Sequence, residues 1–349
     1  MTKSGPMPAR AILVLDKANV VGVGFGTKVS SGVDTGERAL VVLVTRKQPL
    51  AALRAEDIVP EQVDGLVTDV LEVGEIRALD RLTAPEVATP PSARPPSATP
   101  PVSPAPPRSA PEAPPSLGRR RSRVRPLEGG ISIGHYKITA GTLGAVAIDS
   151  KTRAPLLLSN NHVLANSTGP RYPAASPGDP VLQPGPYDGG TRQDTVGTLL
   201  RFVPLKTVSS VARVAKVDPA KANLVDAAVA SIAPDVALSA GIDGLGEAHG
   251  TIEAKTGMNL KKSGRTTGVT SGKVRVLGSL LKVSYGWNRI GLFADQIVCT
   301  CQSQGGDSGS LIVDDANHAV GLLFAGSESV TIASPIESVI RLLAIEMPA

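Results

Sequence analysis

Three segments of the chain contain side chains that together could hydrolyse an acyl bond, and one of them holds a serine between glycines. This segment is GGDSGS, Gly305 to Ser310. A serine hydroxyl is a weak nucleophile, so Ser308 would need a neighbouring base and N–H donors for the developing oxyanion. Gly306 and Gly309 let the backbone bend around Ser308, so that the amides of Gly306 and Ser308 could converge on one point. A plain surface turn is the alternative, because Gly, Asp and Ser also form turns.

Two further segments could supply the base and its orienting carboxylate. LLLSNNHVLAN (156–166) is an apolar strand that runs into a polar turn and presents His162 at its end. In NLVDAAVASI (223–232), Asp226 is flanked by apolar residues. A carboxylate in such a setting is rarely buried without a partner, and an imidazolium formed during catalysis would be one. Taken singly, His162 could be an ordinary core histidine and Asp226 a surface aspartate. The remaining histidines lie in turns or just before a strand: His135, His249 and His318.

The chain order of the three candidates is His162, Asp226, Ser308, which neither α/β-hydrolases nor subtilisins share. It is the order of the chymotrypsin class, and residues 130–349 resemble trypsin- and chymotrypsin-like serine peptidases. The resemblance implies that His162 is the general base, Asp226 its orienting carboxylate and Ser308 the nucleophile. It also implies that the amides of Gly306 and Ser308 form the oxyanion hole.

A fourth motif narrows the resemblance to one branch. KSGRTTGVTSGKV (262–274) is similar to the SGRTTG segment of bacterial secreted chymotrypsin-fold proteases such as lytic endopeptidases and streptogrisins. In that branch an arginine at this place pairs with the aspartate before the nucleophile, which implies a pair of Arg265 with Asp307. A carboxylate buried under the oxyanion loop needs a fixed cation. An internal arginine would replace the new N-terminus that animal trypsins create by cleavage. A glycine-rich hairpin with a solvated arginine is the alternative.

The same resemblance implies where the substrate binds. The floor of the specificity pocket falls at Gln302, and the strand that pairs with substrate falls at Phe324, Ala325 and Gly326. No acidic residue stands where trypsin selects Arg and Lys, so we expect a preference for small or apolar side chains.

The chain departs from typical secreted members of that branch in three ways. It has neither disulfide-forming cysteine pairs nor a secretory signal peptide. Asn160 and Asn161 stand where small residues usually precede the catalytic histidine. The segment FVPLKTVSSVARVAKVDPAKAN (202–223) looks like an insertion before Asp226.

Composition divides the chain into three zones. Residues 10–82 combine strand-like runs such as ANVVGVGFGTKV with a short helical run, which predicts a small α+β N-terminal domain. Residues 83–126 are rich in proline and arginine, which predicts a disordered linker. Residues 127–349 consist of short apolar runs separated by Gly, Asn, Asp and Ser, which predicts a mainly β domain.

The resemblance implies that this last zone is a two-barrel, chymotrypsin-like serine protease domain. Barrel one would occupy about 130–240 and barrel two about 250–335. The tail PIESVIRLLAIEM has apolar residues at helical spacing, which predicts a C-terminal helix over 336–346 that packs on the sheet.

The net charge of +5 is concentrated in the linker. Five arginines form one short run there: Arg119, Arg120, Arg121, Arg123 and Arg125. Without them the net charge is near zero, so we expect no basic face for specific nucleic-acid binding. The aromatic content of 3% also argues against a base-stacking surface. A weak, salt-dependent tether through the arginine run is the alternative. The linker also contains a PxxP pattern at Pro101–Pro104, which proline-rich spacers produce by chance.

Cofactors, metals and a membrane span are not expected. Cys299 and Cys301 are two residues apart, so on a strand they point to one side and are badly placed to bond each other. They lack a second cysteine pair or a nearby histidine for a metal site, which predicts two free thiols and fits a reducing compartment. No apolar run is long enough to span a bilayer. The expected location is the cytoplasm.

The sequence therefore predicts a serine endopeptidase that acts on polypeptides through an acyl-enzyme on Ser308. The alternative is a self-processing or catalytically silent interaction protein, which would use the protease fold and the proline-rich arm. We also expect self-interaction through the N-terminal domain or the linker. In secreted relatives, small leader domains assist folding and inhibit the site, and the same role is a hypothesis for residues 10–82.

Overall fold

The structure of the chain is a computed structural model that describes residues 7–79, 115–209, 218–286 and 288–348. The predicted linker residues 83–114, with Pro101–Pro104, lie outside the described residues.

The N-terminal part contains one helix and five strands. They are α1 (Ala9–Val14), β1 (Val20–Ser30), β2 (Val33–Val44), β3 (Gln62–Val63), β4 (Leu66–Glu72) and β5 (Arg77–Ala78). The strands β1 and β2 form an antiparallel hairpin, β4 pairs with β2 in parallel, and β3 lies at the edge. We call residues 7–79 the N-terminal unit.

The middle of the chain contains the first barrel. The elements of this part are α2 (Pro115–Arg121), β6 (Leu127–Gly129), β7 (Ser132–His135), β8 (Gly141–Thr142), β9 (Ala145–Asp149), β10 (Pro155–Ser159), α3 (Asn161–Leu164), β11 (Pro180–Leu182), β12 (Thr195–Phe202), β13 (Thr207–Ser209) and β14 (Ala228–Ala230). The barrel strands pair in the order β9–β10–β14–β12–β11–β7–β8, and β8 is followed directly by β9 in the chain, whereas β6 and β13 pair with strands outside this sheet.

The remaining strands and one helix form the second barrel and its surroundings. They are β15 (Leu238–Ile242), β16 (Gly246–Glu247), β17 (Asn259–Gly264), β18 (Gly268–Ser284), β19 (Arg289–Cys299), β20 (Leu311–Val313), β21 (Ala319–Gly326), β22 (Thr331–Pro335), α4 (Ile336–Leu343) and β23 (Ile345–Glu346). The ring runs β17–β18–β19–β22–β21–β20 and closes from β20 to β17. The mainly β, two-barrel architecture predicted for residues 127–349 is confirmed.

The C-terminal helix is confirmed but is shorter than predicted. Helix α4 buries Ile336, Val339 and Leu343 against apolar residues of both barrels. It ends where Ala344 adopts a left-handed conformation with φ of 48°. The predicted helix extended to residue 346, but Ile345 starts β23, which pairs with β9. Helical spacing continues through Ile345, so the pattern alone could not mark this end.

The sheet of the N-terminal unit is continuous with the second barrel. The 17-residue strand β18 is long enough to pair with β17 near its start and with β1 near its end. The glycine alternation of VVGVGFG permits this contact. A Cβ on Gly24 would lie 2.5 Å from Ser279 Oγ and 2.6 Å from Val276 Cγ1, closer than packed atoms can approach. The alternation therefore serves the close packing of β1 on β18.

The arginine run is not wholly solvated, which corrects the predicted extent of the disordered linker. Residues 115–121 form α2, and Arg120 is only 3% exposed. Arg120 Nε donates to Asp243 at 2.8 Å, and its Nη1 donates to the carbonyl of Gly264 at 3.2 Å. A charged run looks the same in sequence whether it is solvated or docked, so composition could not reveal this contact. Within the described ranges, no helix combines the length and apolar character needed to cross a membrane.

Candidate active site

The pairing of β10 with β14 brings His162 and Asp226 together. The two strands are antiparallel, and Ser159 at the end of β10 lies opposite Ala228 at the start of β14. His162 follows β10 by three residues and Asp226 precedes β14 by two, so both lie beyond the same end of this strand pair. Nδ1 of His162 lies 2.6 Å from Oδ2 of Asp226. Both side chains are buried, which shields this contact from water.

Two further donors hold the Asp226 carboxylate. The backbone N–H of His162 donates to Oδ1 at 3.2 Å, and the hydroxyl of Tyr285 donates to Oδ2 at 2.7 Å. A fully buried carboxylate requires such partners. Sequence reasoning missed Tyr285, which lies 59 positions from Asp226, between β18 and β19. No local pattern around Tyr285 indicated this contact.

Two asparagines before the histidine also bond within the site. Nδ2 of Asn160 donates to the carbonyl of Asp226 at 2.7 Å. Nδ2 of Asn161 donates to the carbonyls of Thr168 and Val203. Asn160 and Asn161, which stand where small residues were expected, therefore tie α3 to neighbouring chain segments.

The loop that carries Ser308 lies against the end of the first barrel. The N–H of Thr142 donates to the carbonyl of Ser308 at 2.7 Å, and its hydroxyl donates to the carbonyl of Gly306 at 2.8 Å. Gly309 has φ of 94°, and a Cβ there would lie 2.1 Å from Ser159 Oγ. Only glycine fits this place, so the third glycine of the motif lets Ser308 approach the strand that leads to His162.

The nucleophile candidate is itself buried. The hydroxyl of Ser308 donates to the carbonyl of Phe324 at 3.3 Å. A Cβ on Gly141 would lie 2.4 Å from Val163 and 3.0 Å from the carbonyl oxygen of Ser308. The nucleophile loop and the residue after His162 thus pack on the same glycine.

The predicted pair of Arg265 with Asp307 is wrong. The Asp307 carboxylate accepts from the N–H groups of Thr266 and Thr267 at 2.8 and 3.1 Å, and from the Thr267 hydroxyl at 2.7 Å. The N–H of Gln304 donates at 3.0 Å, and Nζ of Lys262 lies 3.4 Å away. The cation at Asp307 is therefore Lys262, and burial lowers the pKa of its ammonium group.

Arg265 pairs instead with an aspartate of the first barrel. Its Nε donates to Asp188 Oδ2 at 2.7 Å, and its Nη2 bonds the other oxygen of the same carboxylate. The hydroxyl of Ser132 also donates to Asp188, at 2.5 Å. The partners of Asp307 are thus backbone N–H groups, the Thr267 hydroxyl and Lys262, whereas the guanidinium of Arg265 bonds Asp188. Arg265 and Asp307 are both buried supports of the loop, but with different partners.

Two of the four predicted substrate residues, Gln302 and Gly326, line one cleft, whereas Phe324 and Ala325 are buried behind it. Gln302 is exposed there, and Gly326 borders the same cleft. Phe324 is buried against Phe293, with ring centroids 4.7 Å apart. Ala325 and Gly326 belong to β21, whose end faces the cleft.

The last described residues of the N-terminal unit lie along β21. Strand β5 pairs antiparallel with it, with Ala78 opposite Ala325 and Arg77 opposite Gly326. The N–H of Leu79 donates to the carbonyl of Phe324 at 3.3 Å, and the N–H of Gly306 donates to the carbonyl of Leu79 at 2.9 Å. The half-buried side chain of Leu79 packs against an apolar cluster of the second barrel that contains Cys301.

Cys299 and Cys301 are free thiols, as predicted, and both are buried. The adjacent Cys301 side chain and burial both raise the pKa of Cys299. Among the described residues, no group of three or more His, Cys, Asp or Glu side chains could hold a metal ion.

Comparison with known proteins gives structural likeness only. No protein-family model matches the chain, and no curated protein matches it. Thermobifida fusca protease A is 17% identical with a TM-score of 0.45, over 64% of this chain and 98% of that one. Cellulomonas bogoriensis chymotrypsin is 17% identical with a TM-score of 0.43, over 63% of this chain and 97% of that one. An alpha-lytic protease homologue, N4, is 17% identical with a TM-score of 0.45, over 63% of this chain and 98% of that one. Likeness at this level says nothing about activity, which has to be judged from the residues of the site.

Proposed function

We propose that the chain is a serine endopeptidase whose nucleophile is Ser308, with His162 as general base and Asp226 as its orienting carboxylate. The observation that carries the proposal is the buried contact of 2.6 Å between His162 Nδ1 and Asp226 Oδ2, beside the loop of Ser308. A carboxylate on Nδ1 fixes the tautomer and leaves Nε2 to accept a proton. The hydrogen bonds that the Tyr285 hydroxyl and the His162 backbone N–H donate to Asp226 support this role, since they hold the carboxylate in one orientation.

The proposed reaction begins when Ser308 transfers its proton to Nε2 of His162 and attacks the scissile carbonyl carbon. The amides of Gly306 and Ser308 stabilise the oxyanion, because preformed N–H donors favour the charge that develops there. His162 then protonates the leaving amine, and water hydrolyses the acyl-enzyme by the reverse sequence. The Gly306 amide already donates to a peptide carbonyl, that of Leu79, which supports its assignment to the oxyanion hole.

The proposed substrate is a polypeptide bound in extended form along Phe324, Ala325 and Gly326. Strand addition of this kind uses main-chain hydrogen bonds for affinity and side-chain pockets for specificity. Leu79 lines the cleft and packs on an apolar cluster, and Gln302 at the same cleft is uncharged, which supports a preference for apolar side chains. Arg120 is buried, which weakens the case for a nucleic-acid tether through the arginine run.

A fluorophosphonate probe tests the proposal, because it reacts with activated serines. The full chain, Ser308→Ala and the control Ser327→Ala, whose hydroxyl also lies at the cleft, are labelled side by side. Leu79→Lys is included because Leu79 occupies the cleft and could block the probe. We expect the probe to label the full chain or Leu79→Lys. We expect Ser327→Ala to keep the labelling and Ser308→Ala to lose it. No adduct on either the full chain or Leu79→Lys would sink the proposal, as would equal labelling of Ser308→Ala.

A further inference from the structure

We propose that Arg121 binds a side-chain carboxylate of the substrate on the leaving-group side of the scissile bond. The cleft would then select peptides that carry Asp or Glu shortly after that bond. The inference rests on the proposed endopeptidase function and names a substrate class for it. It starts from the arginines at the end of α2, whose guanidinium groups differ in what they bond.

Arg121 lacks the kind of partner that its two neighbours have. Arg119 and Arg120 each pair with a carboxylate. In the described part of the chain, the Arg121 side chain has one hydrogen bond, from Nη2 to the carbonyl of Thr266 at 3.5 Å. Its Nε is buried and has no acceptor there. A buried donor of this kind indicates an acceptor from outside the chain. A guanidinium bonds carboxylates best, because its N–H groups match the two oxygens.

Arg121 stands at the cleft, close to the loop of the nucleophile. It is one of the residues that line the cleft. The residue that it bonds, Thr266, donates its hydroxyl to the carbonyl of Gly305 at 2.6 Å. Gly305 directly precedes Gly306, whose amide is assigned to the oxyanion hole. A single residue thus connects Arg121 to the loop at which the scissile carbonyl would be held.

The course of an extended peptide shows which part of a substrate would reach Arg121. Residues 77–79 run antiparallel to β21, and the carbonyl of Leu79 accepts from the Gly306 amide at 2.9 Å. A substrate on this course has its residues before the scissile bond along β21. Its residues after that bond lie beyond Gly306, on the side of Arg121. The carboxylate that Arg121 can bind therefore belongs to the leaving segment.

The charges that line the cleft divide in the same direction. Three carboxylates lie at the end of β21: Glu72, Glu75 and Glu328. Ser329 Oγ donates to the carbonyl of Val73 at 3.2 Å, which joins the two segments that carry them. At the other end, Arg265 is bonded to Asp188, whereas Arg121 keeps its charge free for a ligand. An acidic leaving segment would be attracted to Arg121 and repelled from the end of β21, which favours this orientation of the peptide.

Peptide binding to the full chain tests the proposal without relying on catalysis. Every variant carries Ser308→Ala, which keeps the peptide intact, and Leu79→Asn, an uncharged change that loosens Leu79 from its apolar cluster. Dye-labelled peptides of eight residues have leucine in the fourth place and serine elsewhere. One aspartate stands in the fifth, sixth or seventh place, and each peptide is compared with its asparagine counterpart. Fluorescence anisotropy at pH 7 and low salt is expected to show about fivefold tighter binding of one aspartate peptide, as for a partly exposed ion pair.

Three variants assign the preference to the guanidinium. Arg121→Gln is expected to abolish it, whereas Arg121→Lys keeps the positive charge and most of the preference. Arg123→Gln is the matched control, because the side chain of Arg123 is 66% exposed and does not line the cleft. The control is expected to bind both members of each peptide pair as the parent chain does.

Equal binding of every aspartate and asparagine pair would overturn the inference. A preference that survives in Arg121→Gln would also overturn it, as would the absence of binding by any peptide. Fluorophosphonate labelling of the chain with Ser308 in place separates this inference from the proposed function. Labelling without a carboxylate preference would reject the Arg121 site and leave the endopeptidase proposal standing. No labelling together with a preference that depends on Arg121 would remove the proposed reaction but confirm the carboxylate site.

Discussion

The Asp226 carboxylate accepts hydrogen bonds from His162 and from a tyrosine that sequence patterns did not reveal. The tyrosine donates to the same oxygen, Oδ2, that contacts Nδ1 of the imidazole. A donor at that oxygen fixes the carboxylate plane and stabilises its charge. In the proposed reaction Tyr285 is thus a positioning residue, since its hydroxyl bonds Asp226 and its ring packs edge-on against His162, with centroids 6.2 Å apart.

Replacement of Tyr285 by phenylalanine is expected to lower kcat with little change in KM. A hydrogen bond to a charged group contributes about 1.5–3 kcal/mol, and loss of part of this on the barrier corresponds to about tenfold in rate. The ring would keep its packing against Phe293. Steady-state kinetics on a peptide substrate measure the effect, with the half-exposed Tyr172→Phe as control. An unchanged kcat, or a rise in KM alone, would contradict the positioning role.

The partner of Arg265 shows what local sequence can and cannot reveal about a site. The motif around Arg265 lies next to Asp307, and the structure does place Thr266 and Thr267 on that carboxylate. The side chain of Arg265 crosses to Asp188, 77 positions away, whereas Lys262 lies at Asp307. The motif thus indicated which segment encloses Asp307, whereas the partner of each charged side chain depends on packing from distant segments.

At the scale of elements, the hairpin of β18 and β19 connects the N-terminal unit to the candidate triad. β18 pairs with β1 through Leu281 and Leu280, and its end leads directly to Tyr285. Strand character was readable from apolar alternation in both partners. The sequence did not indicate which strands pair. These hydrogen bonds join residues distant in sequence, and the apolar alternation is the same at both edges of a hairpin. The N-terminal zone was therefore predicted as a domain of its own, without the sheet that it shares with the second barrel.

Replacement of Gly24 by valine is expected to weaken the pairing of β1 with β18. The new side chain would overlap Ser279 and Val276, so the strands must separate locally. Amide hydrogen exchange along both strands is expected to accelerate by about tenfold or more, since local opening becomes easier. Mass-spectrometric hydrogen exchange in the Ser308→Ala background measures this, with the exposed Val33→Thr on β2 as control. Equal protection in Gly24→Val and the control would show that the close approach is not needed.

At the scale of the whole molecule, the segments before residue 80 and after residue 114 both contact the second barrel. The N-terminal unit joins β18, and α2 docks through Arg120 on Asp243 and Gly264, next to the motif that encloses Asp307. Short apolar runs and turn residues predicted a mainly β domain, and the resemblance to chymotrypsin-like peptidases implied its two barrels. Neither indicated the docking of α2, since it depends on the buried Arg120 and on contacts of Arg119 and Arg121, within a run that has the composition of a solvated segment.

Replacement of Arg120 by alanine is expected to destabilise the chain by about 2 kcal/mol, because Asp243 and the Gly264 carbonyl lose a buried donor. Arg123, whose side chain is 66% exposed and 3.7 Å from Asp194, is the matched control, with a change near zero. Urea unfolding of both variants, each carrying Ser308→Ala, compares them. Trypsin is also expected to cut faster around residues 119–121 in Arg120→Ala. Similar losses in the two variants would show that Arg120 is as dispensable as a surface arginine.

The hydrogen bond between the Leu79 carbonyl and the Gly306 amide has a kinetic consequence for any other peptide. A segment tethered beside a cleft acts as a ligand at an effective concentration on the order of millimolar. A competing peptide must overcome that local excess, so its apparent KM reflects competition as well as its own affinity. Dilution cannot relieve this competition while the tether is intact, because both groups belong to one molecule. The N-terminal unit thus makes access to the cleft independent of protein concentration.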